Sequence, residues 1–190
     1  VEVFSTLMTE ADDSRAIVLR GADGTFCSGG AIDTMEGIGS FSGRSRLQGV
    51  HRLVQLLVRG EKPVVAAVEG YAFGGGFSLA LACDLRIATP GSKFTTAFGK
   101  VGLSGDFGGS YFLPRVVGSA KARELYMLSP VLTGEEAGAI GLVNRVVSEE
   151  AFDAEVAAEA LRHTSCGRTE DHMEAAQAFV DKRAPVFKGR

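Results

Sequence analysis

The chain has 190 residues, 45% of them hydrophobic, and a formal net charge of -3. That length and apolar content suffice for one α/β domain with a real core, and the near balance of charge gives no reason to expect nucleic acid or an anionic membrane as a partner. Charges or glycines break every apolar run well short of a membrane span. The first residues, "VEVFSTLMTEADDSR", lack a basic start and a small-residue cleavage site, so no signal peptide is expected there. Cys27, Cys83 and Cys166 lie far apart without C-x-x-C spacing. They are expected to be reduced, inert thiols of a cytoplasmic protein with no zinc site.

In chain order, Val3, Leu7 and Met8 fall at helical intervals and predict a helix over "VEVFSTLMTEADD". "RAIVLRG" reads as a short buried strand, and "GADGTFCSGG" as a loop. Leu47, Val50, Val54, Leu57 and Val58 give an amphipathic helix from about Ser45 to Arg59. "KPVVAAVEG" is a second strand with Pro63 at its start, where a missing N–H is tolerated. "GFSLALACD" opens a buried helix, "LRIAT" is a third strand, and "SKFTTA" is extended. "GGSYFLPRVVG" starts helical and is expected to be interrupted at Pro114. "SAKARELYMLS" is a helix with Ser119 as its expected N-cap. "TGEEAGAIG" is a short helix in which Thr133 and Glu136 form a capping-box pair. "LVNRVVS" is a strand, "EEAFDAEVAAEAL" a helix, and "DHMEAAQAFVDKRAP" a terminal helix expected to stop at Pro185. Strand and helix alternate, so the fold class is α/β, with parallel pairing and crossover helices.

The 25 glycines exceed the ~7% average, and they cluster at "GADGTFCSGG", "EGIGSFSG", "GYAFGGG" and "GLSGDFGG", each beside an apolar run. In open α/β folds ligands collect at the carboxyl ends of strands, where "CSGG" and "GGG" both fall. Glycine lets a ligand approach the main chain, and the first amides of a helix are unpaired with partial positive charge. "GGG" before "FSLALAC" therefore suits a phosphate or an enolate oxygen. Tight strand–helix packing without a ligand is the alternative for either loop alone. Neither a P-loop, nor G-x-G-x-x-G with its acidic partner, nor a G-x-S-x-G elbow is present. His51, His163 and His172 show no metal spacing.

"GTFCSGGAIDTM", "KPVVAAVEGYAFGGGFSLALACDLRIAT", "SKFTTAFGKVGLSGDFGGSYFLPRVVGSAKARELYML" and "TGEEAGAIGLVNRVV" together resemble successive blocks of the crotonase superfamily, the enoyl-CoA hydratases and isomerases. The likeness runs in order from about Ile17 to Val147. It implies a crotonase-like spiral ββα fold, with an acyl-CoA-binding core over residues 1–150 and a C-terminal helical oligomerisation region over 151–190. It also implies an acyl-CoA thioester substrate, coenzyme A being part of that substrate and no separate cofactor being needed. The thioester oxygen would lie in a hole formed by the amides of Gly30 and Gly75, with Ser28, Ala31, Ile32 and Asp33 matched to CoA contacts. A homotrimer or hexamer is implied, in keeping with the apolar residues Ala175, Ala178, Phe179 and Phe187. Typical members carry further strands before "VEVFSTL" and another helical segment after Ala158, so residues are expected to be missing before Val1 and near 158–170. The loop from Glu36 to Arg44 is expected to be mobile.

The departures bear on the reaction. Where family hydratases carry two glutamates, this chain has Ser78 and Phe98, whereas hydration needs one group to activate water and another to move a proton to carbon. Ala31 replaces a family aspartate. Asp106, in "LSGDFGGSYFLPR", matches the aspartate that related isomerases use to carry a proton between acyl carbons; capping of the following helix is the alternative. Three readings follow: an enoyl-CoA isomerase, a hydratase with non-standard acid/base residues, and a non-catalytic CoA-thioester-binding relative.

Overall fold

The computed structural model describes residues 6–8, 14–30, 40–165 and 170–189. Of the predicted N-terminal helix only Thr6–Met8 lie among them, and they are helical. The central sheet is parallel, in the order β1-β2-β4-β7: β1 (Ile17–Arg20), β2 (Val64–Val68), β4 (Leu85–Ala88) and β7 (Arg145–Val146). In β2 all five residues are buried, as an apolar run covered on both faces requires. Alternate side chains go to opposite sides. Val64, Ala66 and Val68 join the main core, with Phe77, Leu81 and Leu113. Val65, Ala67 and Ile87 meet Phe152 and Val156, from the helix α6 (Phe152–Ser165).

A second, smaller sheet was not foreseen. Its strands are β3 (Tyr71–Phe73), β5 (Lys93–Thr95) and β6 (Leu132–Thr133), with β3 parallel to β5 and β6 antiparallel to it. Strands of two and three residues carry too little periodicity to stand out from their loops. The remaining helices are α1 (Ser40–Arg59), α2 (Gly75–Ala82), α3 (Gly109–Val117), α4 (Ser119–Leu128), α5 (Gly134–Ala139) and α7 (Glu170–Val180). No helix among the described residues is long and apolar enough to cross a membrane.

Several expectations need correction. Helix α1 begins at Ser40, so the segment Glu36–Arg44, expected to be a loop, is helical from Ser40 on; residues 36–39 lie outside the described ones. Helix α3 runs through Pro114 without a break. The proline removes one donor, whose acceptor would be the carbonyl of exposed Ser110, so water can satisfy that oxygen. Ser119 is the first residue of α4, not its cap; the cap is Gly118, with φ 78° and no side-chain bond. Helix α7 ends at Val180, ahead of Pro185, and Lys182 turns left-handed with φ 52°. Helix α6 runs to Ser165; residues 166–169, within the segment where residues are expected to be missing, lie outside the described ones. The Thr133–Glu136 capping box is present: the Glu136 amide donates to Thr133 Oγ1 at 3.1 Å and the Thr133 amide to Glu136 Oε2 at 2.7 Å. Cys83 is buried, its thiol donates to the Leu79 carbonyl at 3.4 Å, and burial pushes its pKa up to about 12, which makes it inert as expected. Cys27 is half-buried and free.

Two contacts position the site. Arg86 is almost wholly buried in β4. It donates to the carbonyls of Cys83 (2.8 Å) and Leu142 (2.9 Å) and to Asn144 Oδ1 (3.1 Å), tying the end of α2 to the approach to β7. The same burial lowers its pKa. Beside it, the amide of Asp84 donates to the Val64 carbonyl at 3.0 Å, while the Val64 amide donates to Asp84 Oδ2 at 2.8 Å. The second contact lies at the other end of α2, where a β-carbon on Gly76 would collide with the carbonyl oxygen of Cys27.

Arg86→Met should keep the volume but leave the Cys83 and Leu142 carbonyls without their donor, and is expected to lower stability in urea titration by about 2–4 kcal/mol. Gly76→Ala should force the 27–30 loop away from α2 and cost about 1–3 kcal/mol, seen as a lower urea midpoint with an unchanged slope.

Candidate functional site

The site is assembled on the second sheet. The Cys27 amide donates to the Tyr71 carbonyl at 2.8 Å, and the Phe73 amide donates to the Cys27 carbonyl at 3.0 Å. The "CSGG" segment thus runs alongside β3 as a parallel bridge, Cys27 opposite Ala72. It arrives beside the triple glycine: a β-carbon on Gly29 would lie 3.0 Å from the Phe73 carbonyl and 3.8 Å from the Gly75 nitrogen. Gly74 caps α2 with φ 52° and ψ -116°, a conformation closed to residues with a side chain. Its amide donates to the Thr95 carbonyl at 3.0 Å, anchoring the turn on β5. Gly75 is the first residue of α2, so the helix itself offers its amide no partner.

The structure therefore brings the Gly30 and Gly75 loops side by side. Gly30 and Ser28 are exposed, and Gly75 is buried. Ala31, Ile32 and Asp33 lie outside the described residues.

Asp106 sits in a sharply turned segment. Gly105 (φ 108°), Phe107 (φ 49°) and Gly108 (φ 76°) all have positive φ. For Phe107 that conformation is strained, and such strain concentrates at functional turns. The Phe107 ring covers Gly75, with a ring carbon 3.0 Å from where that glycine's β-carbon would be. Asp106 is half-buried, with Oδ1 shielded from solvent. Asp106 is not the N-cap of α3, which is Gly108; its main-chain carbonyl accepts from the Gly109 amide at 3.0 Å.

The two positions expected to hold hydratase glutamates converge on the same place. Ser78, on the first turns of α2, is fully buried, and Phe98 is nearly so. A β-carbon on Gly105 would lie 3.5 Å from the Phe98 ring, and one on Gly109 would run into Ser78 Oγ.

Tyr126 also enters this cluster, and the sequence reading missed it. It stacks on Phe98 with ring centroids 6.4 Å apart and planes 10° from parallel. Its hydroxyl would be 2.6 Å from a β-carbon on Gly109 and 3.3 Å from one on Gly105. Thr96 Oγ1 donates to the Leu125 carbonyl at 2.9 Å, and Thr95 Oγ1 to the Ser129 carbonyl at 3.2 Å, which fixes the last turn of α4 against β5. Burial, and then the charge of Asp106, push the Tyr126 pKa up to about 12. A signal was available: Ala122, Leu125 and Ser129 form the buried face of α4, and Tyr126 sits on that face at helical spacing, where a hydroxyl needs a reason.

No cluster of three or more His, Cys, Asp or Glu side chains able to hold a metal ion occurs among the described residues. A separate surface crevice between Met8 and α1, lined by Arg52, Arg59 and Glu61, includes none of the predicted site residues.

Comparison with known proteins agrees with this architecture. The enoyl-CoA hydratase/isomerase family model matches residues 1–164. A probable enoyl-CoA hydratase from Rhodobacter capsulatus is 32% identical over an alignment 228 positions long, spanning 100% of this chain and 87% of the relative. The 1,2-epoxyphenylacetyl-CoA isomerase of Escherichia coli is 33% identical over 221, spanning 95% and 84%. Among solved structures, an enoyl-CoA hydratase from Bacillus anthracis aligns with a TM-score of 0.83 at 25% identity, over 100% of this chain and 86% of the other. With the crotonase fold and its two adjoining glycine loops already in place, these matches establish that the chain belongs to the enoyl-CoA hydratase/isomerase family, whose members act on CoA thioesters.

Proposed function

We propose that the protein is an enoyl-CoA isomerase in which Asp106 carries the proton. The observation behind this reading is the chemistry of the cluster around Gly105 and Gly109. At the two positions expected to hold glutamates in a hydratase stand a buried hydroxyl, Ser78, and an aromatic ring, Phe98, while Asp106 lies between those glycines with one oxygen shielded from water. A single carboxylate serves isomerisation. It takes the proton from C2 of a 3-enoyl thioester, and the electron pair moves onto the thioester oxygen. The amides of Gly30 and Gly75 stabilise the enolate. The protonated Asp106 then delivers the proton to C4, the electrons return from oxygen, and the double bond moves from C3–C4 to C2–C3. Losing one such amide donor typically costs ~3–4 kcal/mol of transition-state stabilisation. Coenzyme A enters as part of the substrate, with Ser28 and residues 31–33 along its path.

The same reading makes the protein a homo-oligomer. The exposed apolar side chains of α7 and the tail, Met173, Phe179 (85% exposed) and Phe187, support it; Ala178, expected on that face, is instead buried within the chain.

Asp106→Asn keeps the shape but cannot accept a proton. It should lower isomerisation of a 3-enoyl-CoA ~10²–10⁴-fold, with CoA-thioester binding and melting temperature unchanged. Full activity in this variant would remove Asp106 from the chemistry. Incubating 2- and 3-enoyl-CoAs in heavy water and weighing the products separates the reactions. Isomerisation leaves the product mass unchanged, or raised only by exchanged deuterium. Gain of a whole water would show a hydratase, and binding without turnover or exchange a non-catalytic relative. Light scattering at micromolar concentration should report a trimer or hexamer; a monomer would overturn the oligomer reading.

A further inference from the structure

The Ser78 and Tyr126 hydroxyls raise a separate question. Ser78 is fully buried, and Tyr126 is half-buried with its hydroxyl shielded from solvent; neither Ser78 Oγ nor Tyr126 Oη has a hydrogen-bond partner among the described residues. A serine inside a helix usually satisfies itself on the carbonyl four residues back. Here, among the described residues, the Gly74 carbonyl accepts only the Ser78 amide, at 3.1 Å. Buried hydroxyls without partners are destabilising, and native structures rarely keep them without a reason. These two converge on one residue, Gly109, which packs against both: a β-carbon there would run into Ser78 Oγ and lie 2.6 Å from Tyr126 Oη. Both face the turn that carries Asp106.

We propose that Ser78 and Tyr126 form a hydroxyl pair that binds an uncharged oxygen on the acyl portion of the substrate, making the enzyme selective for oxygen-bearing acyl-CoA thioesters. The proposal rests on the CoA-thioester reading above and names the substrate class for that same site. A phenol donates one hydrogen bond, and an aliphatic hydroxyl donates one and accepts two, a set that suits a hydroxyl, carbonyl or ether oxygen. Burial and the Asp106 charge keep the Tyr126 phenol protonated, and therefore a donor, throughout the neutral range. The same carboxylate disfavours an anionic substituent. The surrounding walls are apolar: Phe98 stacks on Tyr126 and Phe107 covers Gly75. A carbon chain bearing one oxygen matches that mixture better than water alone, which would have few further partners.

The test compares dissociation constants of butanoyl-CoA, 3-hydroxybutanoyl-CoA and 4-hydroxybutanoyl-CoA. In the unaltered protein at least one hydroxylated thioester should bind ~10–100-fold more tightly than butanoyl-CoA. Tyr126→Phe and Ser78→Ala, each removing one oxygen, should bring that preference close to unity without weakening butanoyl-CoA binding or lowering the melting temperature. No preference in the unaltered protein would overturn the proposal, whatever the variants do. So would a preference that survives both substitutions, since the oxygen would then be held elsewhere, or one lost together with butanoyl-CoA binding, since the hydroxyls would then be structural. If none of the three thioesters binds, the CoA-thioester reading itself fails, an outcome distinct from binding without preference.

Discussion

The approach of the Cys27 carbonyl to Gly76 is the constraint from which the rest of the site follows. There is no room for a β-carbon at that contact, so a main-chain oxygen from one loop lies against the first turn of α2. Around it, Cys27 shares hydrogen bonds with Tyr71 and Phe73, making the loop after β1 an extra edge of the second sheet. The triple glycine thereby meets several demands at once: Gly74 adopts a positive φ, Gly75 presents its amide at a helix start, and Gly76 admits the neighbouring loop. Each glycine gives up more backbone freedom on folding than another residue would. The return is a helix start whose first amide, that of Gly75, is placed by backbone geometry and does not depend on side-chain rotamers.

Around that contact, polar groups divide by location. In the body of the fold they are paired. Arg86 donates to main-chain carbonyls and to Asn144, Asp84 exchanges bonds with Val64, and Thr95 and Thr96 pin α4 to β5. These bonds fix the ends of α2 and α4, the two helices that carry Ser78 and Tyr126. At Gly109 the pattern reverses, and the two hydroxyls so carefully placed have no partner among the described residues. Rigid surroundings hold unsatisfied groups in a fixed position, the arrangement that binding and catalysis exploit. Surface ion pairs such as Arg20 with Asp153, or Arg145 with Glu155, contribute little by comparison, because water screens them.

The elements legible in the chain were those with long, unambiguous patterns. The apolar run of β2, the helical spacing of α1, the composition of α6 and the Thr133–Glu136 pair each correspond to structure found close to where they were expected. Strands β3 and β6 were not legible, because two or three residues give no period and their existence depends on β5 between them. Helix ends were least legible. Gly118 caps where Ser119 was expected, and α3 absorbs Pro114, because both outcomes depend on what the neighbouring chain leaves open to water.

For the site, the sequence by itself determined the glycine loops, the aspartate between glycines and the substitution of Ser78 and Phe98 for carboxylates. These are local facts of residue type, and the order of the blocks carried the family. Only the tertiary structure decided that these residues meet. Gly30 and Gly75 are 45 positions apart by their numbers in the chain, and their segments are brought together by the bridge of Cys27 to Ala72. Tyr126 reaches Asp106 because α4 folds back along α3 and is tied to β5. The same fold gave the N-cap position of α3 to Gly108 and not to Asp106. The physical reason is that periodicity and composition report what one segment needs from its surroundings. Which groups answer that need is set by long-range packing, where a missing β-carbon at Gly76 or Gly109 decides which atoms come into contact.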